Sequence, residues 1–527
     1  MSWSGRDGHG GDAGRDVASG DDGAVDGQWL DLRLVPTALT AWSVTAVGIV
    51  FGPVAASVLG LAAVGATWLV GRWAGLRVVG VLAVAAVVVG FVVAIALRVH
   101  QVEHHPIGQH YGRAAMVELT PDETPRVIRG GRMMFRATLT RFEQTPMSGR
   151  VVVFASASFG AVVPGRPARF RATVQRPSRK DLSVAVLTAA GRPRFGEASP
   201  VQRAAQRVRS GFSEAARQAL PADQAAMLPA LVLGDTSTVT GQTTTEFRIA
   251  GLTHLTAVSG ANVTIVCGAI LLSAALVGPR WAVVLAGFGL VGFVIVVQPS
   301  ASVLRAAVMG AVTLLAVLTH RRRQAVPALA ASVIVLMVAA PQLAVDVGFA
   351  LSVCATAGIV VLAPVWSARL QARGWPRPLA VAVSVAVVAQ LVTAPLVAGI
   401  SGTISVVAVA ANLAVAGVIP PITVLGTGAA VCAAVWPPGA QLLIRFTGPE
   451  VWWLLSVARA AATMPAAALS SPSGLVGVLT VAVAGLAITV LWRLRWVRRG
   501  LAAAIVVLLA WALAGQVVGA VGVVGAT

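Results

Sequence analysis

Apolar runs of about 20 residues, the length an α-helix needs to cross a hydrocarbon core about 30 Å thick, recur along most of this chain. The runs are continuous rather than alternating, so the spans they predict are helical. Of 527 residues, 57% are hydrophobic and 11% charged, against roughly 25% charged in a soluble domain. The fold class expected is therefore a polytopic α-helical membrane protein, and a soluble enzyme is excluded.

The apolar runs place spans near 36–52, 54–71 and 75–98, then near 262–277, 281–297, 300–319, 325–340, 347–366, 378–399, 403–419, 421–436, 475–492 and 500–523, with 451–469 undecided. Basic residues flank spans on the cytoplasmic side. Arg72 and Arg77 then put the N-terminus inside and residue 99 outside. Arg280, Arg321 to Arg323, Arg369 with Arg373 and Arg377, and Arg493 to Arg499 all face the cytoplasm if 451–469 does not cross. Residues 1–31 hold two Arg and seven Asp, and residues 1–35 read as a disordered acidic cytoplasmic tail.

Between the first three spans and the rest lies a region that is poorer in apolar residues and strongly basic. Nineteen basic and seven acidic residues fall between Arg113 and Arg217, and Lys180 is the single lysine of the chain. Short β-branched or aromatic runs at Met133 to Phe142, Val151 to Ala157, Pro167 to Val174 and Leu182 to Leu187 alternate with Gly and Pro turns, which predicts a small OB-like β-barrel over 99–200. Residues 201–220 have helical periodicity with an apolar face through Val201, Ala204, Ala205, Val208, Phe212, Ala215 and Ala216, as in an amphipathic interfacial helix. The remaining divisions are 36–98, N-terminal spans; 221–495, the main membrane domain; and 496–527, a C-terminal span.

Candidate functional residues concentrate in the polar stretch Leu233 to Val263: Asp235, Glu246, Arg248, His254, Ser259 and Asn262. Irregular polar backbone at membrane depth survives only where protein or a water-filled cavity surrounds it, as in a re-entrant segment lining a pore. The bland alternative is a surface loop, with Ser259 as an ordinary helix cap. Arg305 lies five residues into a span, where a charge costs at least ~2.5 kcal/mol and faces a cavity or a partner. Asp346 is the nearest partner by type and also a natural N-cap. His100, Glu103, His104, His105 and His110 read as a linker rather than a metal site, and Cys267, Cys354 and Cys432 as small core residues.

The segments LVLGD, EFRIAGLTHL and AVSGANV between Leu231 and Val263 resemble the signature of the ComEC family of DNA-internalisation competence channels. Pro299 to Ala307, Asp346 to Pro364 and Ala389 to Leu413 agree in order. The resemblance implies leading spans, an extracellular OB-like domain and a membrane domain that passes single-stranded DNA into the cytoplasm during natural transformation, in the cell membrane. Ala261-Asn262 stands where many relatives have Leu-His, and no H-x-H-x-D-H motif of the metallo-β-lactamase-like domain of longer relatives is present. The reading that follows is a channel without catalysis, metal or cofactor, in the form lacking that domain. Its partners are single-stranded DNA, the lipid bilayer, and a separate DNA-delivery receptor, nuclease and cytoplasmic ATPase motor; a homo-oligomer stays open. Asp235, Glu246, Arg248, His254, Ser259, Asn262 and Arg305 are the candidate DNA pathway. Arg132, Arg136, Arg141, Arg150, Arg169 and Arg171 are the candidate DNA-binding surface, with Phe135, Phe142, Phe154 and Phe170 mostly core.

Two alternatives belong to other classes. In an intramembrane hydrolase His254 would serve Ser259, yet five residues apart on one helix their side chains diverge by about 140°. A small-solute permease would show a duplicated half, and none is visible.

Overall fold

A computed structural model describes residues 31–74, 78–128, 130–274, 278–319 and 324–491. Expectations for residues 1–30, Arg77, Arg321 to Arg323, Arg493 to Arg499 and the span 500–523 lie outside the described residues.

The first helices are α1 (Val35–Phe51), α2 (Pro53–Ala74) and α3 (Val78–Glu103). Between α1 and α2, Gly52 at φ 95° turns the chain, and Pro53 opens α2 where its missing N–H costs nothing. From α3 the chain passes through a short 3-10 turn, Pro106–His110, straight into the β domain.

That domain contains β1 (Ala114–Pro121), β2 (Arg126–Val127), β3 (Met133–Phe142), β4 (Thr145–Ala155), β5 (Ala168–Gln175) and β6 (Ala185–Phe195). The strands follow the order β1-β5-β6-β4-β3, and a β1–β3 pairing closes a five-stranded barrel, with β2 appended to β3. All of the closing contacts are antiparallel except β4–β6, which is parallel. This connectivity is consistent with the OB-like barrel expected from the turn spacing.

Period-two alternation fills the barrel: Val117, Leu119, Phe135, Leu139, Val153, Phe170, Val174 and Leu187 are all buried, and Ile107 and Phe159 join the same core. Each fully buried side chain of this size contributes about 1.5–3 kcal/mol. Phe135, Phe142 and Phe170 are therefore core, as expected, whereas Phe154 is half-buried on the outer face.

After the barrel come α4 (Pro200–Ala219), α5 (Ala222–Leu233) and α6 (Gly241–Ile249). Then follow α7 (Gly260–Ser273), α8 (Pro279–Val297), α9 (Ala301–Leu318), α10 (Ala325–Ala339), α11 (Val347–Val361), α12 (Ala363–Gln371) and α13 (Arg377–Ser401). The chain continues through β7 (Thr403–Ser405), α14 (Ala408–Val415), α15 (Ile419–Ala433), α16 (Pro437–Thr463), β8 (Ala468–Ser470) and α17 (Gly474–Leu491). Among the described residues, five stretches are long and apolar enough to cross a membrane: Val81–His110, Arg280–Val297, Ala301–Leu318, Val347–Gln371 and Arg377–Ser401.

Three expectations change. The runs near 36–52, 54–71, 262–277, 325–340 and 475–492 form apolar helices of 10–17 residues by the same criterion of length and apolarity, within the described residues. The run 403–419 is not a span: Thr403 to Ser405 pair with Ala468 to Ser470, and α14 meets α15 at a bend of 56°. The cause is Pro420-Pro421, whose missing N–H groups interrupt the helical hydrogen bonds at the break. The helix expected over 201–220 does form, but its apolar stripe is covered by protein. Phe212, Ala215 and Ala216 are buried in a core shared with α5, α15 and α16, and Val201 and Ala204 are exposed.

Candidate functional site

The site is built around α5, a twelve-residue helix in which Met227 to Leu233 are all buried. It ends at Gly234, whose left-handed backbone (φ 73°) stops the helix and frees its last carbonyls. One of these, Leu231 O, accepts from Asn262 Nδ2 at 3.1 Å. Asn262 is 6% exposed, so the first turn of α7 is tied to the end of α5.

Ser259 precedes α7 but does not cap it; its hydroxyl donates to Asn262 Oδ1 at 3.2 Å. The first N–H groups of α7 are thus left without a side-chain acceptor, and a helix N-terminus in this condition carries about half a positive charge. The N-terminus of α9 is joined to the same place by Ser302, whose hydroxyl donates to Val258 O at 2.9 Å.

Arg305 projects from α9 against this junction. It is 4% exposed, and Nη2 lies so close to Gly260 that a side chain there would press on it at about 3.0 Å. Nε donates to Ser352 Oγ of α11 at 2.9 Å, and Nη1 to Met309 Sδ at 2.9 Å. A guanidinium has five donors and a thioether is a weak acceptor, so the group is under-satisfied. No carboxylate pairs with it among the described residues. The expected partner, Asp346, instead caps α11 through Phe349 N (3.0 Å) and pairs with Arg136 of the barrel (3.6 Å). The sequence offered Asp346 by residue type; the barrel supplies its cation from more than two hundred positions away.

The other sequence candidates do not gather around Arg305. Asp235 is half-buried, accepts from Ser237 N at 3.1 Å and acts on Arg209 of α4. Glu246 accepts from Gln242 Nε2 (2.9 Å) within α6, and Arg248 and His254 are exposed. Ser259 is hydrogen-bonded to Asn262.

Arg209 was not singled out by the sequence, although it stands on the stripe Ala205, Phe212, Ala216. It donates Nε to Val296 O at 2.5 Å, and the Gln298 amide bridges its guanidinium to Thr124 Oγ1 of the barrel. Burial pulls Arg209 down to about 10, with Asp235 opposing, so it is charged at neutral pH. Thr124, Arg136 and Leu182 seat the barrel on the ends of α8 and α11, beside the start of α9.

The six candidate arginines of the barrel separate by use. Arg136 is also 3.8 Å from Glu123. Arg150 lies by Asp122, with burial lowering the guanidinium and raising the carboxyl from their ordinary values. Arg136 is committed to pairs within the protein, whereas Arg150 Nη1 is buried without a hydrogen-bond partner among the described residues. Arg132 stacks over Phe154 at 5.5 Å, Arg141 stands 4.0 Å from Glu118, and Arg169 and Arg171 are exposed. The histidines have structural work. Ile107 N donates to His105 Nδ1 (3.3 Å), leaving Nε2–H for Ser148 O (3.0 Å), and His110 stacks on Phe142 at 4.7 Å.

A family model described as "Competence protein" matches residues 231–496, from the end of α5 through α17. No curated protein and no solved structure gives a match.

Proposed function

Because the chain belongs to the competence protein family, whose description points to a role in DNA uptake for transformation, we propose that it is a cell-membrane channel of the ComEC type that passes single-stranded DNA into the cytoplasm. One observation carries this reading. The buried Arg305 guanidinium faces the uncapped N-terminus of α7, and among the described residues no carboxylate pairs with it; such a pair of positive elements suits the phosphates of a passing strand. Asn262 and Ser259 act by holding α7 in place, and the N-terminus of α9 brings Arg305 to it.

The OB-like barrel is extracellular in this reading and delivers the strand to the ends of α8 and α11, where Thr124 and Arg136 seat it. The channel is a conduit without catalysis. A separate receptor supplies DNA, a separate nuclease removes the second strand, and a cytoplasmic ATPase pulls.

A strain lacking the protein should fail to take up labelled DNA and regain uptake when the wild-type chain is restored; normal uptake without it removes the proposal. In the restored strain an impermeant thiol reagent should label Ser178→Cys and not Gln324→Cys. Equal labelling contradicts the sidedness.

A further inference from the structure

Nucleic acids bind OB-type barrels on the face of the second and third strands and the loops beside it. In this chain those strands are β3 and β4, and that face is engaged with the helical body. Arg136 reaches Asp346 at 3.6 Å, Thr124 of the β1–β3 loop meets Gln298, and Leu182 of the β5–β6 loop packs into a helical core.

The opposite face is open and basic. Across β3, β1, β5 and β6 the register sets Arg141 beside Glu118, Glu118 beside Arg169, and Arg169 beside Arg194. Three steps between strands make this ladder about 14 Å wide. Arg171 continues it on the same side of β5, two residues and about 6.6 Å further on, and Arg169, Arg171 and Arg194 are all exposed.

One end of the ladder holds a surface pocket of about 200 Å³ lined by Glu118, Arg169, Arg194 and Phe195 among others. The Arg166 guanidinium stacks 4.9 Å from the Phe195 ring and is fixed by donating Nε–H to Gly196 O at 3.0 Å. An aromatic ring and a guanidinium plane beside a row of cations suit a nucleobase stacked next to its own phosphates.

Resting on the DNA-uptake reading, we propose that single-stranded DNA binds across β1, β5 and β6, its phosphates on Arg169, Arg171 and Arg194 and one base in the Phe195 pocket. The strand then reaches the helical body around the edge of the barrel rather than along the β3–β4 face. Glu118 holds Arg141 to one side of the track and accepts from exocyclic amines of a base in the pocket.

The test is anisotropy of fluorescent oligodeoxycytidylate with the purified full-length protein in lipid nanodiscs, at low and moderate salt. Changing Arg169, Arg171 and Arg194 together to Ser should weaken binding at least tenfold at low salt, as an order of magnitude. It should also flatten the slope of log affinity against log salt by about 2, at about 0.7 per lost phosphate contact. Phe195→Ala should weaken binding about fivefold without changing that slope. Arg126→Ser, at an exposed arginine on β2 outside the proposed track, should leave affinity within about twofold. Wild-type affinity in the triple variant, or the main loss in Arg126→Ser, overturns the assignment. So does a triple variant that loses flotation with anionic-lipid vesicles while keeping oligonucleotide affinity, which would make the face a lipid site. A deletion strain that takes up DNA normally sinks the uptake reading instead; a deletion strain that fails, paired with full uptake by the triple variant, sinks this face alone.

Discussion

Arg305→Leu should leave the protein inserted and folded while lowering DNA uptake by about tenfold to a hundredfold, the equivalent of about 1.5–3 kcal/mol for a lost hydrogen bond to a charged group. Leucine fills much of the same space and is better suited than arginine to a helix interior in lipid. Loss of uptake therefore reports the guanidinium and not a failure to insert. Arg305→Lys keeps the charge but cannot hold Ser352 and approach Gly260 at once, so it should recover uptake in part. Uptake of labelled DNA, normalised to membrane-extracted protein, reads both variants. Full uptake in Arg305→Leu would show that the buried charge serves packing alone.

Gly251→Ala should strongly destabilise the fold. Gly251 sits at φ +72° just beyond α6, and an added Cβ would overlap Ala408 at the start of α14. Left-handed backbone costs a non-glycine residue about 1–2 kcal/mol, and overpacking typically adds about 1–3 kcal/mol. The neighbourhood has little room to yield, because Ser405 Oγ donates to Ile249 O at 2.6 Å and ties β7 to the end of α6. The variant should melt well below wild type in detergent or fail to accumulate. An unchanged melting temperature would mean that α14 is free to move away.

The strand Met133 to Phe142 was legible to the residue because its alternation is clear and Gly130-Gly131 precede it. β1 was not, although Ala115, Val117 and Leu119 alternate into the barrel core; it follows directly on the histidine-rich linker and carries small residues at its start. α5 escaped notice for a different reason. It is apolar on every side, so periodicity gives it no direction, and only its neighbours reveal that it is central.

The span expected over 403–419 failed because apolar composition does not distinguish a crossing helix from a short strand, a short helix and a bend. At the site, sequence identified Asn262, Ser259 and Arg305 as polar groups that need an explanation, and the structure joins all three at the start of α7. The partner of Asp346 and the role of Arg209 were out of reach, because both depend on how the barrel sits on the helices.

The central claim, that the strand passes beside Arg305, is tested most directly by a photo-crosslinking amino acid placed at Ser302 in the full-length protein, in cells taking up end-labelled DNA. Ser302 opens α9 on the same turn that carries Arg305 and touches Val258 just before α7. The account predicts a light-dependent adduct between the protein and one strand of the incoming DNA, lost when Arg305 is also changed to Leu. Adducts that form at the barrel face but never at position 302, in cells that take up DNA normally, would contradict it.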